Sequence, residues 1–158
     1  ADYALVAYGG NDSNYDWAAI DADPAGDHRP RTELPAFREK LRHTVTMLRE
    51  RGIQPVLMSL PPIDAARYLA FICRDGLRKE RIMDWLGDVQ MIYRHQEMYS
   101  DAMTQLAYAE GLPLIPVREE FLNDHRLMRL IAADGIHLTM PGYERLFDTL
   151  ADWLRIRV

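Results

Sequence analysis

Ala4-Leu5-Val6-Ala7-Tyr8 runs without a polar interruption into Gly9-Gly10-Asn11-Asp12. An unbroken apolar run, as opposed to an alternating one, is the pattern of a parallel strand covered on both faces. The same kind of run returns at Val56-Leu57-Met58-Ser59-Leu60, closed by Pro61-Pro62, and at Leu112-Pro113-Leu114-Ile115-Pro116-Val117. Between the runs the apolar spacing changes to three and four. Phe37, Leu41, Val45 and Leu48 lead to Gly52, and Ile92, Tyr99, Met103 and Leu106 lead to Gly111, each glycine standing where a helix ends. Tyr143, Leu146, Phe147, Leu150 and Leu154 draw an apolar stripe on a last helix, with Thr139 as its N-cap and Pro141 in its first turn. Strands alternating with crossover helices predict an α/β domain of three layers around a parallel sheet.

Two stretches break this rhythm. Residues 13–35 are polar and rich in Asp, Pro and Gly, with Tyr15 and Trp17 embedded, and read as a long loop on the functional side of the sheet. Residues 63–90 read as short helices, with Tyr68, Phe71, Ile72, Ile82, Trp85 and Leu86 as packing residues. Three strands are few for such a sheet. A chain that opens on a strand needing neighbours predicts that pairing partners lie elsewhere, in a missing N-terminal segment or in another chain.

The 158 residues are 48% hydrophobic and 27% charged, which suits one domain, residues 1–158, and argues against disorder or a coiled coil. A net charge of -5 with no basic run argues against nucleic acid as a partner. No apolar stretch reaches the roughly 20 residues of a membrane span. Cys73 is the only cysteine, which rules out an intrachain disulfide and a cysteine-rich zinc site, and leans towards a cytoplasmic location.

Ligands of open α/β sheets bind at the carboxyl ends of the strands. Gly9-Gly10 allows a tight turn there, and Asn11 can present amide donors to a cleft; an ordinary Gly-Asn-Asp turn is the plainer alternative. Before the last helix stands Asp134-Gly135-Ile136-His137. A carboxylate three residues before an imidazole can hold one ring nitrogen and leave the other free as a base. The alternative is a solvated loop with an incidental histidine. His28, His43, His95 and His125 read as surface or packing residues, and Cys73 as a small buried hydrophobe.

Together, Gly9-Gly10-Asn11-Asp12 and Asp134-Gly135-Ile136-His137-Leu138, the latter continuing to Pro141-Gly142-Tyr143, resemble the SGNH (GDSL-type) esterase and lipase family over nearly the whole chain. The resemblance implies a flavodoxin-like α/β/α hydrolase with a Ser-His-Asp triad and no cofactor or metal. It implies Asn11 as an oxyanion donor supported by Gly9 and Gly10, with Asp134 and His137 as the triad acid and base. Asp12, Ser13, Tyr15 and Trp17 would border the substrate, a small-molecule ester, and Pro61-Pro62-Ile63-Asp64 is similar to a bacterial subset of the family. The family's Gly-Asp-Ser block and its oxyanion glycine block do not appear. Ser13, Ser59 and Ser100 are the only serines, and none has that setting. The chain therefore reads as the C-terminal two-thirds of such a domain. Two other functions compete: a catalytically inactive fragment that binds a partner, and a metal-dependent phosphoesterase using Asn11, Asp12, Asp134 and His137.

Overall fold

The computed structural model describes residues 2–157; Ala1 and Val158, the ends of the domain read from the sequence, lie outside them. Three parallel strands form the sheet in the order β1 (Tyr3–Val6), β2 (Gln54–Met58), β3 (Leu114–Ile115). Between β1 and β2 run α1 (Trp17–Ala22) and α2 (Leu34–Glu50). Between β2 and β3 run α3 (Ala65–Cys73), α4 (Lys79–Leu86) and α5 (Gln90–Glu110). After β3 come α6 (Val117–Leu122), a short 3-10 turn at Leu127–Arg129, and α7 (Met140–Arg157).

Both faces of the central strand are covered, which makes three layers. Leu57 on β2 packs with Phe37, Leu41 and Val45 of α2 and Tyr99, Met103 and Leu106 of α5. Its neighbours Val56 and Met58 point the other way, onto Ile115, Phe121 and the α7 residues Leu146, Leu150 and Trp153. This alternation is the period-two geometry of a strand serving two cores. The helix ends fall where glycine permits them: Gly52 and Gly111 both have positive φ, 69° and 61°.

Four expectations need correction. The first strand is not covered on both faces. It is a sheet edge, and Tyr3 and Leu5 are 57% and 49% exposed because α7 lies across β2 and β3. The third run yields only two strand residues, since Pro113 and Pro116 flank them and proline has no N–H for a ladder. The α7 stripe is divided: Leu146, Leu150 and Trp153 face the core, whereas Tyr143, Phe147 and Leu154 are exposed. Residues 13–35 are not one open loop. They carry α1, whose Trp17 and Ile20 join Tyr68, Leu69, Ile82 and Ile92 in a third apolar cluster. No helix among the described residues is long and apolar enough to cross a membrane.

Candidate active site

The turn after β1 is closed by its own backbone. The Ser13 N–H donates to the Gly9 carbonyl (3.0 Å), and the Ser13 hydroxyl donates to the Gly10 carbonyl (3.1 Å). Gly9 has φ 121°, and a Cβ there would stand 3.0 Å from Leu60 Cδ1 and 3.2 Å from Tyr99 Cβ, so only glycine lets the turn sit this deep. Asn11 is left exposed, its side-chain amide without a hydrogen bond among the described residues.

The second half of the site is the segment before α7. Ile131 and Leu138 form an antiparallel bridge, and the Ala132 N–H donates to the His137 carbonyl (2.8 Å). This hairpin-like closure puts Asp134 and His137 on its tip. Asp134 Oδ1 accepts from the N–H groups of Ile136 and His137, both at 3.0 Å, and Oδ2 lies 2.7 Å from His137 Nδ1. A carboxylate can only accept, so Nδ1 carries the proton and the neutral ring keeps its lone pair on Nε2. Nε2 makes no hydrogen bond among the described residues, and the His137 side chain is 69% exposed.

Burial alone would raise the Asp134 carboxyl. Hydrogen bonds from the His137 N–H, the His137 ring and the Ile136 N–H outweigh it and hold the pKa at about 2. An unfolded aspartate titrates near ~3.9. The stabilisation from this pairing is therefore present above pH ~4 and lost as pH falls from there towards 2. Above pH ~4 the carboxylate is ionised and accepts at Oδ2 from His137 Nδ1.

Gly135 locks the tip to the body. Its carbonyl accepts from the Asp64 N–H (2.8 Å), and Asp64 caps α3 through the N–H groups of Ala66 and Arg67. Arg67 in turn donates to the Ile131 carbonyl (2.8 Å). A Cβ on Gly135 would lie 2.5 Å from both the Asp64 carbonyl oxygen and the Tyr68 nitrogen, at a φ of 81°. Gly135→Ala combines left-handed strain with a backbone clash and is expected to cost roughly 2–6 kcal/mol. Gly111→Ala, with positive φ but open space around its Cβ, is the control. Thermal unfolding should show a clearly larger loss at 135; equal losses would remove the clash from the account.

Asn11 and His137 line one cavity of about 410 Å³, although 126 positions apart. Gly10, Ser13, Tyr15 and Trp17 line it too, whereas Asp12 does not. Trp17 is mostly a strut, 9% exposed, with its indole N–H donating to Asn14 Oδ1 (2.9 Å). Among the described residues no group of three or more His, Cys, Asp or Glu is placed to share a metal ion. The three serines are buried and engaged: Ser13 as above, Ser59 accepting from the Arg118 N–H (2.9 Å), and Ser100 accepting from the Leu60 N–H (3.0 Å).

Sequence reasoning missed three contributors. Asn14 ties Trp17 to the Tyr68 hydroxyl (2.8 Å), Trp85 packs edge-on to Tyr15 with centroids 4.8 Å apart, and His95 lies in the cavity wall. They come from three separate segments, and no local spacing links them. His95 Nε2 is buried without a hydrogen-bond partner, and burial lowers the His95 pKa. The folded chain thus resists a proton that the unfolded chain takes up near ~6.5. Stability should be full above that pH and fall as pH drops below it. Melting temperatures measured across this range should flatten in His95→Phe; an unchanged slope would assign the loss to other groups.

A profile of the GDSL-like lipase/acylhydrolase family matches residues 1–145. The isoamyl acetate-hydrolyzing esterase of Saccharomyces cerevisiae (strain ATCC 204508 / S288c) is 24% identical over 133 residues, 84% of this chain and 51% of that protein. A lipase/acylhydrolase from Enterococcus faecalis superposes with TM-score 0.63 at 18% identity, covering 99% of this chain and 62% of the other. A catalytic mutant of an acetylxylan esterase from Geobacillus stearothermophilus gives TM-score 0.64 at 17% identity, covering 96% and 58%. The chain thus spans about half the length of the curated relative and about three-fifths of these solved structures. With the profile running along most of its length and its fold shared with those structures, the chain belongs to the GDSL-like lipase/acylhydrolase family.

Proposed function

We propose that the chain carries the base, its orienting carboxylate and an oxyanion donor of a serine esterase. His137 Nε2 takes the proton of the attacking serine and returns it to the leaving alcohol. Asp134 holds the other ring proton and supports the imidazolium as it forms. Asn11 donates its side-chain amide to the carbonyl oxygen as negative charge gathers there, with the turn at Gly9 and Gly10 fixing its position. The observation that carries this reading is the unengaged amide of Asn11 and the unengaged Nε2 of an aspartate-held His137 lining one cavity. The name of the yeast relative, an ester hydrolase, supports the same reaction class.

On this reading the attacking serine is none of the three in the chain, a choice supported by the hydrogen bonds their hydroxyls already make. The reading assigns it to a polypeptide segment laid along the open edge of β1, in the same protein or from a second chain. Fluorophosphonate labelling of the protein purified from its natural source should place the adduct on a serine other than Ser13, Ser59 or Ser100. An adduct on Ser13 would move the nucleophile into the cavity wall, and active protein that takes no label would end the serine mechanism. In that active protein Asn11→Ala should lower kcat about 10²- to 10³-fold with KM little changed. A raised KM with kcat preserved would make Asn11 a substrate-binding residue instead.

A further inference from the structure

The cavity that holds Asn11 and His137 has the volume of a small-molecule site, and far more room than an acetyl group fills. Its lining includes no Asp, Glu, Lys or Arg. Part of that lining is aromatic. The Tyr15 ring stands edge-on to Trp85 (4.8 Å, 70°) and to Trp17 (5.7 Å, 62°), and is tilted against His95 (4.8 Å, 38°). Edge-to-face pairs leave ring faces that a further ring can meet. Met91, 37% exposed at the wall, adds an adaptable thioether.

Most polar atoms beside these rings are turned to one another; among the described residues His95 Nε2 and the Asn14 amide nitrogen make no hydrogen bond. Asn14 Oδ1 accepts from the Trp17 indole and the Tyr68 hydroxyl. Gln96 donates to the Pro61 carbonyl (3.1 Å) and accepts from the buried Arg118 guanidinium. The Tyr15 hydroxyl pairs with His95 Nδ1 (3.4 Å). A substrate hydroxyl placed against Asn14 Oδ1, Gln96 or the Tyr15 hydroxyl would find those atoms already engaged, at a cost of roughly ten- to hundredfold in affinity for each group stranded.

We propose that this cavity selects uncharged esters bearing a single aromatic ring, held against Tyr15 and Trp85, and discriminates against acetylated sugars. The selection deepens the esterase reading and rests on it for the word ester. Binding can be measured apart from turnover by titrating His137→Ala protein with benzyl acetate or an acetylated xyloside and following tryptophan emission. Trp17 and Trp85 both line the cavity and report its filling. Benzyl acetate should quench saturably, with a Kd about tenfold or more below that of the xyloside. Trp85→Ala should weaken benzyl acetate about tenfold, while Trp85→Phe, which keeps a ring, should stay within about threefold. Should Trp85→Ala fail to fold, Met91→Lys places a charge on an exposed part of the same wall and should weaken binding as much.

Equal affinities for the two probes, or benzyl acetate binding unmoved by both Trp85→Ala and Met91→Lys, would overturn the proposal. Aryl-selective binding in a protein that never cleaves an ester would end the esterase reading and leave the selectivity standing. Ester cleavage with no preference for a ring would do the reverse.

Discussion

His137→Ala is expected to lower kcat for ester hydrolysis by about 10⁶, close to the whole contribution of a serine-histidine unit, or about 8 kcal/mol. The size follows from the ring's two hydrogen-bonding positions. Nδ1 is held by Asp134 at 2.7 Å and Nε2 is unengaged, so the His137 ring is oriented at one nitrogen and open at the other to take a proton and return it. In the proposed mechanism, alanine removes both the base and the acid of the cycle. The backbone of the tip should survive, since Asp134 Oδ1 still accepts from the N–H groups at 136 and 137. Melting temperature therefore separates lost chemistry from lost structure. Turnover above about one percent of the parent, with the fold intact, would remove His137 from the mechanism.

Asp134→Asn should cost about 10⁴ in kcat for a different reason. The amide can keep its oxygen on the two backbone N–H groups, so the tip stays formed. Its NH₂ then faces His137 Nδ1, where the carboxylate oxygen had been. An amide nitrogen donates, so the ring must accept at Nδ1 and carry its proton on Nε2. That tautomer cannot take a proton from serine. Asp134→Ala should lose similar activity but also stability, because two N–H groups lose their acceptor. A loss under about 100-fold in the asparagine variant would show that the ring does not depend on residue 134 for its tautomer.

Much of the scaffold could be read locally. α2 and α5 announce themselves because their buried residues recur every three or four positions and each is followed by a glycine with positive φ. Ser59 and Leu60 follow β2 into Pro61-Pro62, and the strand ends before them. What escaped reading depends on neighbours. Leu5 is as apolar as Leu57, yet one sits on the sheet edge and the other in its centre. Phe147 and Leu146 are adjacent in α7, and only the direction of the sheet decides which is covered.

The site divides in the same way. Asn11, Asp134 and His137 stand out through their motifs. Gly135, by contrast, matters because of the α3 backbone 2.5 Å away, which no pattern around residue 135 encodes. Asp12 shares the motif but its chain position turns it out of the cavity wall. Tyr15 and Trp17 stood out as aromatics in a polar stretch. Their partners Tyr68, Trp85 and His95 lie on α3, α4 and α5, and meet them only after those helices pack.

The unpaired side of β1 has a practical outcome for anyone producing residues 1–158 alone. Tyr3-Ala4-Leu5-Val6 offers bare backbone donors and acceptors with no lysine or proline to blunt them, beside a groove formed with Leu150, Trp153 and Leu154. Bare edges of this sort recruit other strands indiscriminately. Solutions of the isolated polypeptide should scatter more light as concentration rises, and a charged residue in place of Leu5 is the natural remedy to keep it dispersed.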